Sequence, residues 1–108
     1  MKELFIQQQN STTTYAIYPS DSKLAAQLTA STAEEIENLD ADYALFSGTK
    51  DFYVDFSGAE AAIPISSSFA PVTVELNPTI RYIKDIESIS VIAPEDCIVT
   101  VAFYNKFG

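Results

Sequence analysis

Asp40, Asp42, Asp51 and Asp55 form a loose run of carboxylates, and these are the residues whose type and spacing come closest to chemistry. Oxygen ligands of this kind hold calcium when a loop wraps them round the ion. No such calcium-binding loop spaces them here, so the reading is of solvated turns rather than a metal site. Paired carboxylates also hydrolyse glycosidic bonds, but the chain has no Trp and no recognisable cleft-forming segment to hold a sugar. Histidine is absent altogether, which removes the commonest general base and the commonest metal ligand. Cys97 is the single cysteine: it cannot form an intrachain disulfide, cannot supply a zinc site, and has no histidine to activate its thiol. Ser66-Ser67-Ser68 lies in a loop tract without a base. Gly48 and Gly58 stand alone and build no phosphate-cradling loop. These residues predict a protein that is not an enzyme, with no catalytic residues, no metal and no cofactor.

Two other groups suit contact rather than catalysis. Arg81 is the only arginine, and Glu75 is near enough in sequence to reach back to it, as a turn brace or at an interface. Tyr15, Tyr18, Tyr43, Tyr53, Tyr82 and Tyr104 fall on strand-like segments. Outward tyrosines there serve as subunit contacts, as half-buried packing or as a sugar-stacking platform.

The elements that position these groups read as β-strands. Cys97 to Tyr104 is apolar at nearly every position and rich in β-branched and aromatic residues. Cys97, Val99, Val101 and Phe103 share one face, and Ile98, Thr100, Ala102 and Tyr104 the other. A strand apolar on both faces is central in its sheet or has its outer face covered by another subunit. Phe52 to Phe56 alternates, with Phe52, Val54 and Phe56 inward and Tyr53 and Asp55 outward. Tyr43–Phe46, Ile80–Ile83 and Ser88–Ile92 are further strands, and Val72, Val74 and Leu76 alternate with Thr73 and Glu75. Ser47 to Asp51 reads as a hairpin-type turn, Asn77-Pro78 and Pro94-Glu95-Asp96 as turns, and residues 59–71 as a proline-bearing loop. Leu4-Phe5-Ile6 begins as an edge strand, and Tyr15 to Tyr18 is another strand. Residues 23–30 fit both helical and strand spacing. Ser31 and Thr32, each with a glutamate three residues on, match a capping box and predict a short helical turn near 33–38. Turn signals every eight to twelve residues or so suit an antiparallel β-sandwich of jelly-roll or immunoglobulin-like size. Residues 1–14 are expected to form an N-terminal arm or edge strand, and 15–108 one sandwich domain.

The chain has 108 residues, with six basic and fifteen acidic residues and a net charge of −9. That balance opposes nucleic-acid binding and attachment to an anionic membrane. Leu4-Phe5-Ile6 is too short for the apolar part of a signal peptide, and no segment approaches membrane-spanning length, so synthesis in a cytoplasm is expected.

Three stretches resemble the small β-sandwich head decoration, or cement, proteins of tailed bacteriophages. They are Leu45-Phe46-Ser47-Gly48-Thr49 with Phe52-Tyr53-Val54; Glu75-Leu76-Asn77-Pro78 with Arg81; and Ser88-Ile89-Ser90-Val91-Ile92 followed by Cys97 to Tyr104. The resemblance covers residues 42–104 and implies a strand rather than a helix at 23–30. It implies a virion structural protein, made in the host cytoplasm, that sits on the capsid exterior and stabilises the shell. The implied partners are the major capsid protein and further copies of itself, as a homotrimer. The interface candidates are Leu4, Phe5, Ile6, Tyr53, Arg81, Tyr82 and Tyr104, with loop 59–71. The alternative function is a carbohydrate-binding or adhesion module of a phage tail or fibre, served by outward tyrosines and carboxylates.

Overall fold

The computed structural model describes residues 3, 4, 6–8, 15–17, 19–64 and 72–106. Phe5, Tyr18 and residues 65–71 of the proline-bearing loop lie outside the described residues. The chain is all-β. In chain order the strands are β1 (Glu3–Leu4), β2 (Ile6–Gln8), β3 (Tyr15–Ile17), β4 (Lys23–Leu28), β5 (Glu34–Glu37), β6 (Tyr43–Gly48), β7 (Tyr53–Asp55), β8 (Val74–Leu76), β9 (Ile80–Tyr82), β10 (Ser88–Ile92) and β11 (Cys97–Lys106).

Two sheets make the sandwich. The first runs β4-β11-β6-β9, all antiparallel, and β1 adds a short parallel pairing to Asn105 and Lys106 of β11. The second runs β5-β10-β7-β8, again antiparallel. β2 and β3 pair with each other as a separate ribbon. The final strand is therefore central, with β4 and β6 along its two sides, as its two-sided apolar pattern requires. Leu28, Phe46, Val99, Val101 and Phe103 from the first sheet meet Ile36, Val54, Ile89 and Val91 from the second in one core.

Residues 33–38 depart from the expected helical turn. They form β5, paired with β10 so that Ile36 lies opposite Ile89 and is buried. The local capping signal loses to tertiary pairing, because a helix here would remove Ile36 from the core. Residues 23–28 form a strand, paired along β11 from Cys97↔Leu28 to Ala102↔Lys23.

Every connection from β4 to β11 except β7–β8 crosses from one sheet to the other. Ser47 to Asp51 is thus no hairpin: β6 and β7 belong to different sheets, and Ser47 and Gly48 are part of β6. The corners are closed by polar side chains. Asn77 has φ 46° and bridges to the β6–β7 corner. Its Oδ1 accepts from Phe52 N at 2.9 Å, its Nδ2 donates to Asp51 Oδ1 at 2.9 Å, and its own N–H donates to Phe52 O at 2.9 Å. Asn tolerates the left-handed conformation that such a corner needs.

Gly48 serves a close approach. A Cβ placed there would sit 2.6 Å from Cδ1 of the buried Phe52 ring and 3.0 Å from the Lys50 carbonyl oxygen. Phe52 packs against Phe46 and cannot swing away freely. Gly48→Ala is expected to destabilise the fold by about 1–3 kcal/mol, the usual range for overpacking, read as a lowered midpoint in urea with an unchanged slope.

Candidate functional site

The carboxylates do not assemble a reaction centre. Among the described residues, no group of three His, Cys, Asp or Glu side chains is placed to hold a metal ion. Asp51 is held by Asn77, and Asp40 is exposed at a corner with φ 66°.

Asp55 is the correction among them. It takes the outer face of the second sheet, opposite Ser90, as alternation requires, yet it is only 1% exposed. The chain following β7 folds back over this face, and Ala61 N donates to Ser90 Oγ at 2.8 Å. Beneath that cover, Asp55 Oδ1 accepts from Ser57 N at 2.8 Å and Ser57 Oγ at 2.5 Å, and Oδ2 accepts from Thr73 Oγ1 at 2.6 Å. Burial by itself raises the carboxyl's pKa. The bonds from the Ser57 hydroxyl, the Thr73 hydroxyl and the Ser57 N–H together outweigh it and hold the pKa below the ordinary value. The group is a loop clasp rather than a general acid. Because the folded pKa is depressed, the clasp stabilises the fold fully above the ordinary carboxyl range and is lost as pH falls through the folded value. Asp55→Asn is expected to flatten the loss of melting temperature between about pH 5 and pH 2, a window set by the ordinary Asp pKa of about 3.9 and a lower folded value.

Arg81 and Glu75 meet as their spacing suggests. Nε and Nη2 both donate to Glu75 Oε1, at 2.9 and 2.8 Å, and Nη1 donates to Ile80 O at 2.7 Å. Hydrogen bonding to Glu75 raises the guanidinium's pKa further, against a smaller opposing effect of burial. Both residues sit on the inner faces of edge strands, Arg81 beside Ala44 and Glu75 beside Val54. They link β9 of one sheet to β8 of the other and close that side of the sandwich. Inward-pointing charges of this kind also discourage another chain from adding to the edge.

The remaining contact candidates are distributed differently. Tyr82 is 53% exposed, and its ring meets Tyr43 edge-on at 5.3 Å. Tyr53 is half-buried on the other sheet. Tyr104 is buried within its own chain. Leu4 lies in β1 and Ile6 in β2. Cys97 is buried, its thiol donating to Lys50 O at 3.5 Å and receiving the Thr49 hydroxyl at 3.8 Å.

What the structure adds is a surface. On the outer side of the first sheet, register places Ile98, Thr100, Ala102 and Tyr104 of β11 between Lys23, Ala25 and Gln27 of β4 and Tyr43, Leu45 and Ser47 of β6. Ile80 and Tyr82 of β9 complete it. The face is open at the Ile98 end, where Ile98 is 45% exposed beside exposed Ala25, Gln27 and Ser47, whereas Tyr104 at the other end is buried. Among the paired positions of these four strands no acidic residue falls on this face and Lys23 is the one charge; Asp96, just before β11, borders it beside Gln27 and Ile98. The outer face of the second sheet is the opposite, carrying Glu35, Glu37 and Asp55. The two-sided pattern of 97–104 pointed to this surface. The sequence reading did not connect it to β4, β6 and β9, because only strand order and register bring those residues together. No protein family model, no curated protein and no solved structure matches the chain, so the likeness to decoration proteins rests on the quoted residues alone.

Proposed function

We propose that this chain is a non-enzymatic structural protein that docks on a protein shell through the outer face of β4-β11-β6-β9. The capsid exterior of a tailed bacteriophage is the setting the resemblance suggests, with the major capsid protein as partner. The uncharged face on a chain of net charge −9 carries this reading. Solvent-facing sheets are normally studded with charge, and charge depletion with exposed Tyr and aliphatic side chains marks the centre of a protein contact. The acidic remainder of the surface keeps the assembled particle soluble and resists non-specific association. A flat sheet of this kind suits broad contact with another protein better than it suits the enclosed binding of a sugar.

Ile98→Glu combined with Tyr82→Glu places two carboxylates on the face at exposed positions. The expected result is loss of attachment to purified particles by at least tenfold with an unchanged melting temperature, while Glu60→Gln attaches normally. Attachment that survives the double substitution rejects this face as the contact.

A further inference from the structure

Among the described residues, the sandwich is closed along one side and open along the other. Arg81 and Glu75 span the β8–β9 side. On the opposite side the edge strands are β4 and β5, and among the described residues no ion pair or side-chain hydrogen bond links them. Between them runs a groove of about 750 Å³, lined by Leu24, Ile36, Leu39 and Phe103, with Glu35 and Glu37 on the β5 side and Asp21, Ser22 and Lys23 on the β4 side. Leu24 is 42% exposed and Leu39 71% exposed.

The four sheet edges are not equally protected. β8 and β9 are three residues long and carry the inward-pointing ion pair. β5 carries Glu34, Glu35 and Glu37, whose like charges repel an added acidic strand. β4 is six residues long, Lys-Leu-Ala-Ala-Gln-Leu, without proline and with one charge at its end. Among the described residues it pairs only with β11, which leaves its other row of backbone groups available. A hydrogen-bonding edge beside an apolar groove is the arrangement that accepts an added strand.

We propose that β4 is a strand-addition site for an extended segment of a partner protein, with one row of apolar side chains and a net positive charge. The segment pairs along Lys23–Leu28 and extends the first sheet by one strand. Its inward row then covers Leu24 and Leu39 and approaches Ile36, completing the side of the core that the described residues leave uncovered. The charge follows from the lining, where the carboxylates of Asp21, Glu35 and Glu37 outnumber the single ammonium of Lys23. No ion pair among the described residues engages Glu35 or Glu37, and they lie within a Debye length of any segment in the groove. A second copy of this chain is the poorer occupant, because edge-to-edge pairing at β4 would bring the two β5 glutamate rows towards each other. The site shares β4 with the uncharged face but uses that strand's outer backbone edge and the inward Leu24 rather than the outward Lys23, Ala25 and Gln27; the peptide assay reads it without reference to capsid docking.

The test uses the whole chain and three capped octapeptides: alternating Val-Lys, alternating Ser-Lys and alternating Val-Glu. Affinity is measured by calorimetry, and location by amide chemical shifts. The Val-Lys peptide is expected to bind at least tenfold tighter than either of the others, with shifts concentrated in 23–28 and 34–39. Glu35→Gln with Glu37→Gln, both exposed, should weaken it at least threefold. Leu24→Asp should weaken it at least tenfold while the chain keeps its cooperative melt. Equal affinity for Val-Lys and Ser-Lys would show attraction to the overall charge alone and overturn the proposal. So would shifts lying elsewhere, or sedimentation showing self-association that Leu24→Asp abolishes.

Discussion

Val101→Asp is expected to leave the chain without a cooperative unfolding transition. Val101 is fully buried in the middle of the central strand, between Leu24 of β4 and Phe46 of β6. Its side chain faces the shared core, where Val54, Ile89 and Val91 of the second sheet provide no hydrogen-bond donor from their side chains. A carboxylate there must either stay charged without a partner or bind a proton at a pKa raised by burial. Either route costs several kcal/mol, against a total stability of roughly 5–10 kcal/mol for a domain of this size. Near-ultraviolet circular dichroism should lose its fixed tyrosine signal, and the urea transition should become shallow or vanish. Val101→Ala in the same assay should keep a cooperative transition with a lower midpoint, its stability reduced by about 2–3 kcal/mol.

The second large effect falls on Asn38. Its Nδ2 donates to the carbonyl oxygens of Ala41 at 3.2 Å, Ile83 at 3.1 Å and Ile86 at 2.9 Å. Its Oδ1 accepts from Ala41 N at 2.7 Å, and its backbone N–H donates to Glu87 O at 2.8 Å. One amide thus ties the β5–β6 corner to the β9–β10 corner. Asn38→Ala removes both ends of that bridge and should destabilise by about 2–4 kcal/mol, since buried carbonyls and an N–H are left to find water. Asn38→Asp is the more telling variant. It preserves shape and the Oδ1 acceptor, yet it aims a second acceptor at three carbonyl oxygens. Above pH 5 it should be at least as unstable as the alanine variant, and it should regain stability as acid protonates it. Recovery to wild-type stability at neutral pH would mean that the amide N–H groups contribute nothing.

Unlike Asn77, which was read as a turn, Asn38 did not announce itself in the sequence. Asn38 stands in Glu-Asn-Leu-Asp, where an asparagine reads as any turn residue. Its partners are far along the chain, and only folding brings them to one amide. By contrast, the strands read at 43–46, 52–56, 88–92 and 97–104 were legible to within two residues at their ends, because alternation and β-branched content agree with their burial. The central position of the last strand followed from its two apolar faces. Residues 33–38 misled because a capping box is a local preference, and a single buried Ile36 against Ile89 outweighed it. Asp55 misled for a different reason: alternation gave its face correctly, but not the loop that covers that face.

The Arg81–Glu75 pair was visible as a spacing, but its consequence was not. Spacing says the two charges meet; only the sheet order shows that they join opposite sheets. The uncharged face lay partly hidden. The charge-free window 97–104 marked its middle strand, but the other residues are dispersed through β4, β6 and β9, each interleaved with inward positions.

The orientation of the chain on an intact particle tests the central claim most directly. Cryo-electron microscopy of purified particles should find the chain on the outer shell, with β4-β11-β6-β9 turned against the shell and Glu35, Glu37 and the 57–61 loop turned to solvent. Particles that lack the chain, or that carry it with the acidic sheet inward and Ile98 and Tyr82 facing solvent, would contradict the account.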